Sequence, residues 1–168
     1  MQTNKWSVAA TYAIMLALVT IISAVIPSVF TDLPGFVGII LWIVKFSLSI
    51  FLVYYFIKEY SKPFEVFTYK DGFRFGVILC FLSSVIGSAY MFLHFGFLFP
   101  DATAAQMETV IQNLESSNPD AAEGFMKVMQ HLPKIVFAWS LVYYTLFGVL
   151  VSSIVANYTK KGDIFTEK

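Results

Sequence analysis

Four long apolar stretches alternate with polar ones along the chain, from about Ser7 to Phe30, Gly35 to Ile57, Phe73 to Phe99 and Ile135 to Ala156. A bilayer core about 30 Å thick needs roughly 20 mostly apolar residues in a helix, because every backbone polar group must be paired internally there. Each stretch meets that length, and none contains an aspartate or glutamate. The pattern predicts an all-α polytopic membrane protein, a four-transmembrane-helix bundle in which residues 1–168 form a single membrane domain. The first stretch, with Lys5 ahead of it, has the charge pattern of a signal peptide. Its apolar run far exceeds the roughly 7 to 15 residues of a signal h-region, and no small-x-small site follows, so it reads as an uncleaved anchor. Pro27 is expected to kink its far end by leaving the Ser23 carbonyl without its usual partner.

The polar stretch from Pro100 to Lys134 is too long for a simple connection, and its apolar positions recur at helical spacing. Met107, Val110, Ile111 and Leu114 share one helical face, with Asp101 or Thr103 as the expected cap. Ser116-Ser117-Asn118 breaks that helix. Asn118 followed by Pro119 then forms a cap and first-turn pair for a second helix, whose apolar face is Ala122, Phe125, Met126 and Met129. The result is an amphipathic helical hairpin between spans three and four, either lying on the membrane surface or packed as a lid over the helix ends.

Composition agrees with a bilayer as solvent: 58% of the residues are hydrophobic and 13% charged, against roughly 25% charged in soluble domains. Lysine plus arginine equal aspartate plus glutamate at 11 each, which removes any global electrostatic argument for nucleic acid. Position carries more information than the total. Lys5, Lys58, Lys62, Lys70, Arg74, Lys160, Lys161 and Lys168 fall on one side of the predicted spans, and only Lys127 and Lys134 on the other. Basic flanks are retained in the cytoplasm during insertion, so both termini are expected on the cytoplasmic side of a bacterial inner membrane. The turn Thr31-Asp32-Leu33-Pro34 and the hairpin then face outward. Trp6, Tyr54, Tyr55 and Tyr158 fall near the inner boundary, where amphipathic rings anchor depth. In the loop from Lys58 to Gly72, Lys70-Asp71-Gly72 reads as a turn, and Phe64, Val66 and Phe67 are expected to dip into the interface.

Lys45 is the side chain that departs furthest from the pattern. Ten residues after Gly35, it lies about 15 Å into the core, near the midplane. Ionisable groups at such depth face the bundle or a wet cavity and have partners, yet no span offers a carboxylate. Backbone carbonyls, hydroxyls, water, an anionic ligand or another subunit must meet it. Gly38 and Ser49 share its helical face, which marks that face as packed against protein. His94 lies about 9 Å short of Pro100, nearer the headgroups, and reads either as a proton-binding group or as a solvated interfacial histidine. Gly72, Gly76, Cys80, Ser84 and Ser88 recur every four residues on span three, and Gly148 and Ser152 do so on span four. Small residues at that spacing allow close helix packing, within one chain or between copies. Cys80 is the single cysteine, so no intrachain disulfide forms. His131 has no neighbouring histidine or cysteine, and no metal site, cofactor or catalytic set is expected.

The stretch from Ile50 onward resembles a family of uncharacterised bacterial membrane proteins, the domain-of-unknown-function family numbered 4199. Lys58-Glu59-Tyr60, Tyr69-Lys70-Asp71-Gly72, Phe73-Arg74-Phe75-Gly76 and Phe99-Pro100-Asp101 carry the resemblance; the first span matches by hydropathy. In that family a more polar stretch follows the glycine-rich start of span three, where this chain has Val77-Ile78-Leu79-Cys80. The resemblance implies this architecture and no known activity, substrate or catalytic residue. Two functions follow as expectations. One is a non-enzymatic accessory or structural membrane component, acting through helix association as a homo-oligomer or with a membrane-protein partner. The alternative is a small transporter or channel-like protein using Lys45 in a wet cavity.

Overall fold

The computed structural model describes residues 4–30 and 34–162. Thr31, Asp32 and Leu33 of the expected turn, and Lys168 of the tail, lie outside them, as does the side chain of Thr103. Six α-helices follow in order: α1 (Lys5–Val29), α2 (Gly35–Ser61), α3 (Tyr69–Leu93), α4 (Pro100–Ser117), α5 (Pro119–Met129) and α6 (Leu132–Thr159), with a π-helical turn, His94–Leu98, continuing α3. Among the described residues, four helices are long and apolar enough to span a membrane, at Lys5–Val29, Phe36–Ser61, Tyr69–Leu98 and Leu132–Thr159. The chain packs as two compact units, one comprising residues up to Gly87 and from Leu141 onward, the other Ser88–Ser140.

Helix ends follow local chemistry. Asn4 caps α1 by accepting the Trp6 N–H at 3.1 Å. Pro27 lies inside α1, which continues to Val29. α3 begins at Tyr69, four residues before the apolar run, so Lys70-Asp71-Gly72 is a first helical turn rather than a reverse turn. The reason is a capping box: the Asp71 carboxylate accepts the Thr68 N–H at 3.2 Å and the Thr68 hydroxyl at 2.6 Å, while that hydroxyl accepts the Asp71 N–H at 3.3 Å. α6 begins at Leu132 with Pro133 in its first turn, where its missing N–H costs nothing.

In the first unit, α3 packs closely on α6 through small residues. A Cβ on Gly76 would lie 2.6 Å from the Ser152 hydroxyl and 2.9 Å from Ile57 Cδ1, and one on Gly148 would overlap Cys80. Backbones approach closely here because side chains there are small, and this replaces the hydrophobic drive that lipid does not supply. Tyr60 stacks on Phe75 at 3.9 Å, and Phe67, 1% exposed, completes that aromatic cluster. Phe67 is therefore buried in protein, whereas Phe64 and Val66 are exposed. Phe67 also exchanges backbone hydrogen bonds with Lys161, at 3.0 and 2.8 Å, and the Lys161 ammonium donates to the Ser61 carbonyl at 3.1 Å. These bonds tie the end of the chain to the end of α2.

In the second unit, α4 packs on α5. The break between them falls at Asn118, whose side chain accepts the Ala121 N–H at 3.2 Å ahead of Pro119. Asp101 does not cap α4: Phe99 holds the N-cap position without a side-chain bond, and Asp101 lies in the first turn. Pro100 opens this helix because its fixed φ suits the first helical position.

Candidate functional site

Lys45 finds its partner on the last helix. Its ammonium donates to the Tyr144 hydroxyl at 2.9 Å and lies 4.9 Å from the centre of that ring. The shorter distance identifies the hydrogen bond as the main contact, with ring attraction secondary. An ammonium carries three donors, so one bond leaves two directed elsewhere. No salt bridge involves Lys45 among the described residues. Within the apolar residues 35–57 of α2, Lys45 stands about 15 Å from one end and about 18 Å from the other.

Beside this pair lies a cleft of about 370 Å³ within the first unit. α1 contributes Leu16 and Thr20; α2 contributes Trp42, Lys45, Phe46, Ser49 and Val53; α3 contributes Cys80, Ser83 and Ser84. From α6 come Tyr143, Tyr144, Phe147, Gly148 and Val151. Ser49 thus joins Lys45 on a cavity wall. Gly38 does not mark a packed face: it is exposed, and a Cβ there would meet nothing within 4 Å.

The lining changes character along the bundle axis. Lys45 pairs with Tyr144, Ser84 bonds Thr145 at 2.8 Å, and Cys80 lies against Gly148 and Ser152, which fixes the relative heights of the helices. Thr20, Lys45, Ser84 and Tyr144 occupy the end nearer the α1–α2 connection. Moving the other way, α1 reaches Leu16, α2 reaches Val53, α3 reaches Cys80 and α6 reaches Val151. One end is therefore cationic and rich in hydroxyls, and the other apolar. Eight residues separate Lys45 from Val53, about 12 Å of helix. No carboxylate lines the cleft.

The small residues of α3 have partners inside the chain. Gly72 approaches Ala156 and Thr159, Gly76 approaches Ser152, Cys80 lies 3.8 Å from the Ser152 hydroxyl, and Ser84 bonds Thr145. Within the second unit, the Ser140 hydroxyl donates to Ser88 at 3.0 Å. The stripe faces α6 within the chain.

His94 is not solvated. It is 5% exposed, its Nδ1 lies 3.2 Å from the Tyr90 hydroxyl, and its ring contacts Phe95 and Phe99. It falls on the face of Ser83 and Gly87 by the α period and opens the π-helical turn, which shifts the phase of the residues after it. His94 belongs to the second unit and is not among the residues lining the cleft of the first. Among the described residues, no three metal-ligating side chains cluster. Sequence reasoning missed Tyr144; a lone hydroxyl on an apolar helix gives no signal that a lysine 99 positions earlier will meet it.

Comparison with known proteins gives a family and no activity. No curated protein and no solved structure matches the chain. A family model described as "Protein of unknown function (DUF4199)" matches residues 8–161, extending the likeness through the first span and across the Val77–Cys80 stretch. The chain, with its four membrane-span-like helices, belongs to the DUF4199 family.

Proposed function

We propose that this chain is a non-enzymatic, multi-pass membrane protein that binds a small organic anion in the cleft beside Lys45, as a transporter or receptor does. The observation that carries the reading is the cleft itself. A lysine placed about 15 Å inside an apolar helix costs several kcal/mol unless it faces a cavity or partner, and such residues mark ligand or ion paths. Here it faces a cavity whose other polar groups are neutral hydroxyls, so the local potential favours an anion. That the small residues of α3 face α6 within the chain supports the cleft reading over association through that stripe.

The basic residues at the α2–α3 connection and beyond α6 support an orientation with both termini cytoplasmic, in an inner membrane. The polar end of the cleft then lies in the outer half of the bilayer. Equilibrium dialysis of the protein in lipid nanodiscs against radiolabelled carboxylates, from butyrate to decanoate, tests the reading. Saturable binding that falls at least tenfold in Lys45→Met and not in Lys58→Met is the expected result. Equal binding by Lys45→Met contradicts it.

A further inference from the structure

We infer that the ligand is a single-chain carboxylate amphiphile that enters from the bilayer with its head at Lys45 and its chain directed towards Val53 and Leu16. This rests on the anion reading above and specifies the ligand. A site for a small hydrophilic anion would surround it with donors on all sides, because each unpaired polar group of a buried anion is costly. The cleft instead gathers its donors towards one end: the two remaining Lys45 N–H groups and the hydroxyls of Thr20 and Ser83, with Ser49 one turn further along α2 and the Ser84 proton given to the Phe81 carbonyl. The other end, formed by Leu16, Val53, Cys80 and Val151, offers an anion nothing and an alkyl chain a dry, apolar wall.

Size agrees. At about 30 Å³ for each water-sized group, 370 Å³ holds on the order of a dozen non-hydrogen atoms. The polar and apolar ends are about 12 Å apart along α2. Both dimensions suit a medium-length chain better than acetate or a full phospholipid. The rim indicates the route: Trp42 and Tyr143 line the cleft yet are 60% and 49% exposed, on α2 and α6 faces that meet acyl chains in a bilayer. Their amphipathic rings suit a mouth through which the ligand slides sideways while its carboxylate stays solvated until it reaches Lys45.

Chain-length dependence in the nanodisc dialysis tests this on the wild-type protein. Affinity should rise at least tenfold from butyrate to decanoate, and decanol, lacking the charge, should compete at least tenfold more weakly than decanoate. Orientation is read by fluorescence with Trp42 as the sole tryptophan, in a Trp6→Phe, Trp139→Phe background. Bromine on carbon 2 of decanoate should quench Trp42 more than bromine on carbon 10, after subtraction of the same titration in Lys45→Met. Lys45-dependent binding with no preference for chain length, or stronger quenching from carbon 10, overturns the amphiphile inference and leaves the anion reading standing. Binding independent of Lys45, or decanol binding as tightly as decanoate, overturns both.

Discussion

α2 and α3 both pass any test for a membrane span, yet they occupy different positions in the fold. Within its most apolar window α3 is 39% buried and α2 only 6%. Hydropathy does not separate them; side-chain size does. α3 presents a small residue every fourth position and so lets α6 approach until a Cβ on Gly76 or Gly148 would collide. α2 presents Phe36, Ile39, Trp42, Ile43 and Phe51 outward, each more than half exposed, and turns Lys45, the one charge between residues 35 and 57, towards a gap. A close-packed seam and a hollow one therefore run side by side. The first provides rigidity, and the second provides the space in which a ligand fits.

Enlarging a glycine in each seam breaks the comparison most severely. Gly76→Leu places its side chain into Ser152 and Ile57 and is expected to destabilise the folded protein by about 3 kcal/mol or more. Gly38→Leu on α2 meets nothing within 4 Å and should change stability by less than about 0.5 kcal/mol. Thermal unfolding in a mild detergent measures both, and equal losses would show that the seams do not differ. Next in size, Gly148→Ala should cost about 1–3 kcal/mol by pressing on Cys80, and much of that should return in the double variant with Cys80→Gly. Additive losses in that cycle would place the strain elsewhere.

On the hollow side, Tyr144→Phe removes the hydroxyl that accepts from Lys45 and should cost about 1–2 kcal/mol, because the bond is charge-assisted. Carboxylate affinity should rise or hold in this variant, since a third ammonium donor becomes available; a loss comparable to Lys45→Met would make Tyr144 part of the anion contact. The smallest effect belongs to the surface. Glu59 pairs with Lys62 at 2.6 Å, and its hydrogen bond and charge hold that ammonium above the ordinary lysine range. A raised lysine pKa adds stability below the unfolded value of about 10.5 and loses it as pH climbs through the folded value. That contribution is thus present near neutral pH, and Glu59→Gln should lower the thermal midpoint there by no more than the small amount a solvent-screened pair supplies, the difference vanishing at strongly alkaline pH.

Much of this architecture was legible in the residues. Length and apolarity alone locate the four spans, since a bilayer leaves the backbone few alternatives. Asn118-Pro119 marks the α4–α5 break because cap chemistry is local. Thr68-x-x-Asp71 was equally local, but the glycine at 72 favoured a turn over a helix start. What escaped depends on helix rotation and phase. A four-residue spacing identifies the α3 stripe as a contact face without saying that α6 covers it. His94 lies on the face of Ser83 and Gly87 by the α period, but that period says nothing of the Tyr90, Phe95 and Phe99 rings around it. The cleft is least legible of all, because it arises from four helices whose larger side chains fail to fill one level.

The most direct test of the account is whether water and charge reach position 45. A Lys45→Cys variant in a Cys80→Ser background, reconstituted in vesicles, can be exposed to a charged, membrane-impermeant thiol reagent from either side. The account predicts rapid labelling that decanoate does not slow, because this variant lacks the ammonium that holds the carboxylate. A folded variant that resists labelling from both sides would mean that Lys45 sits in dry packing, and would contradict an anion-binding cleft.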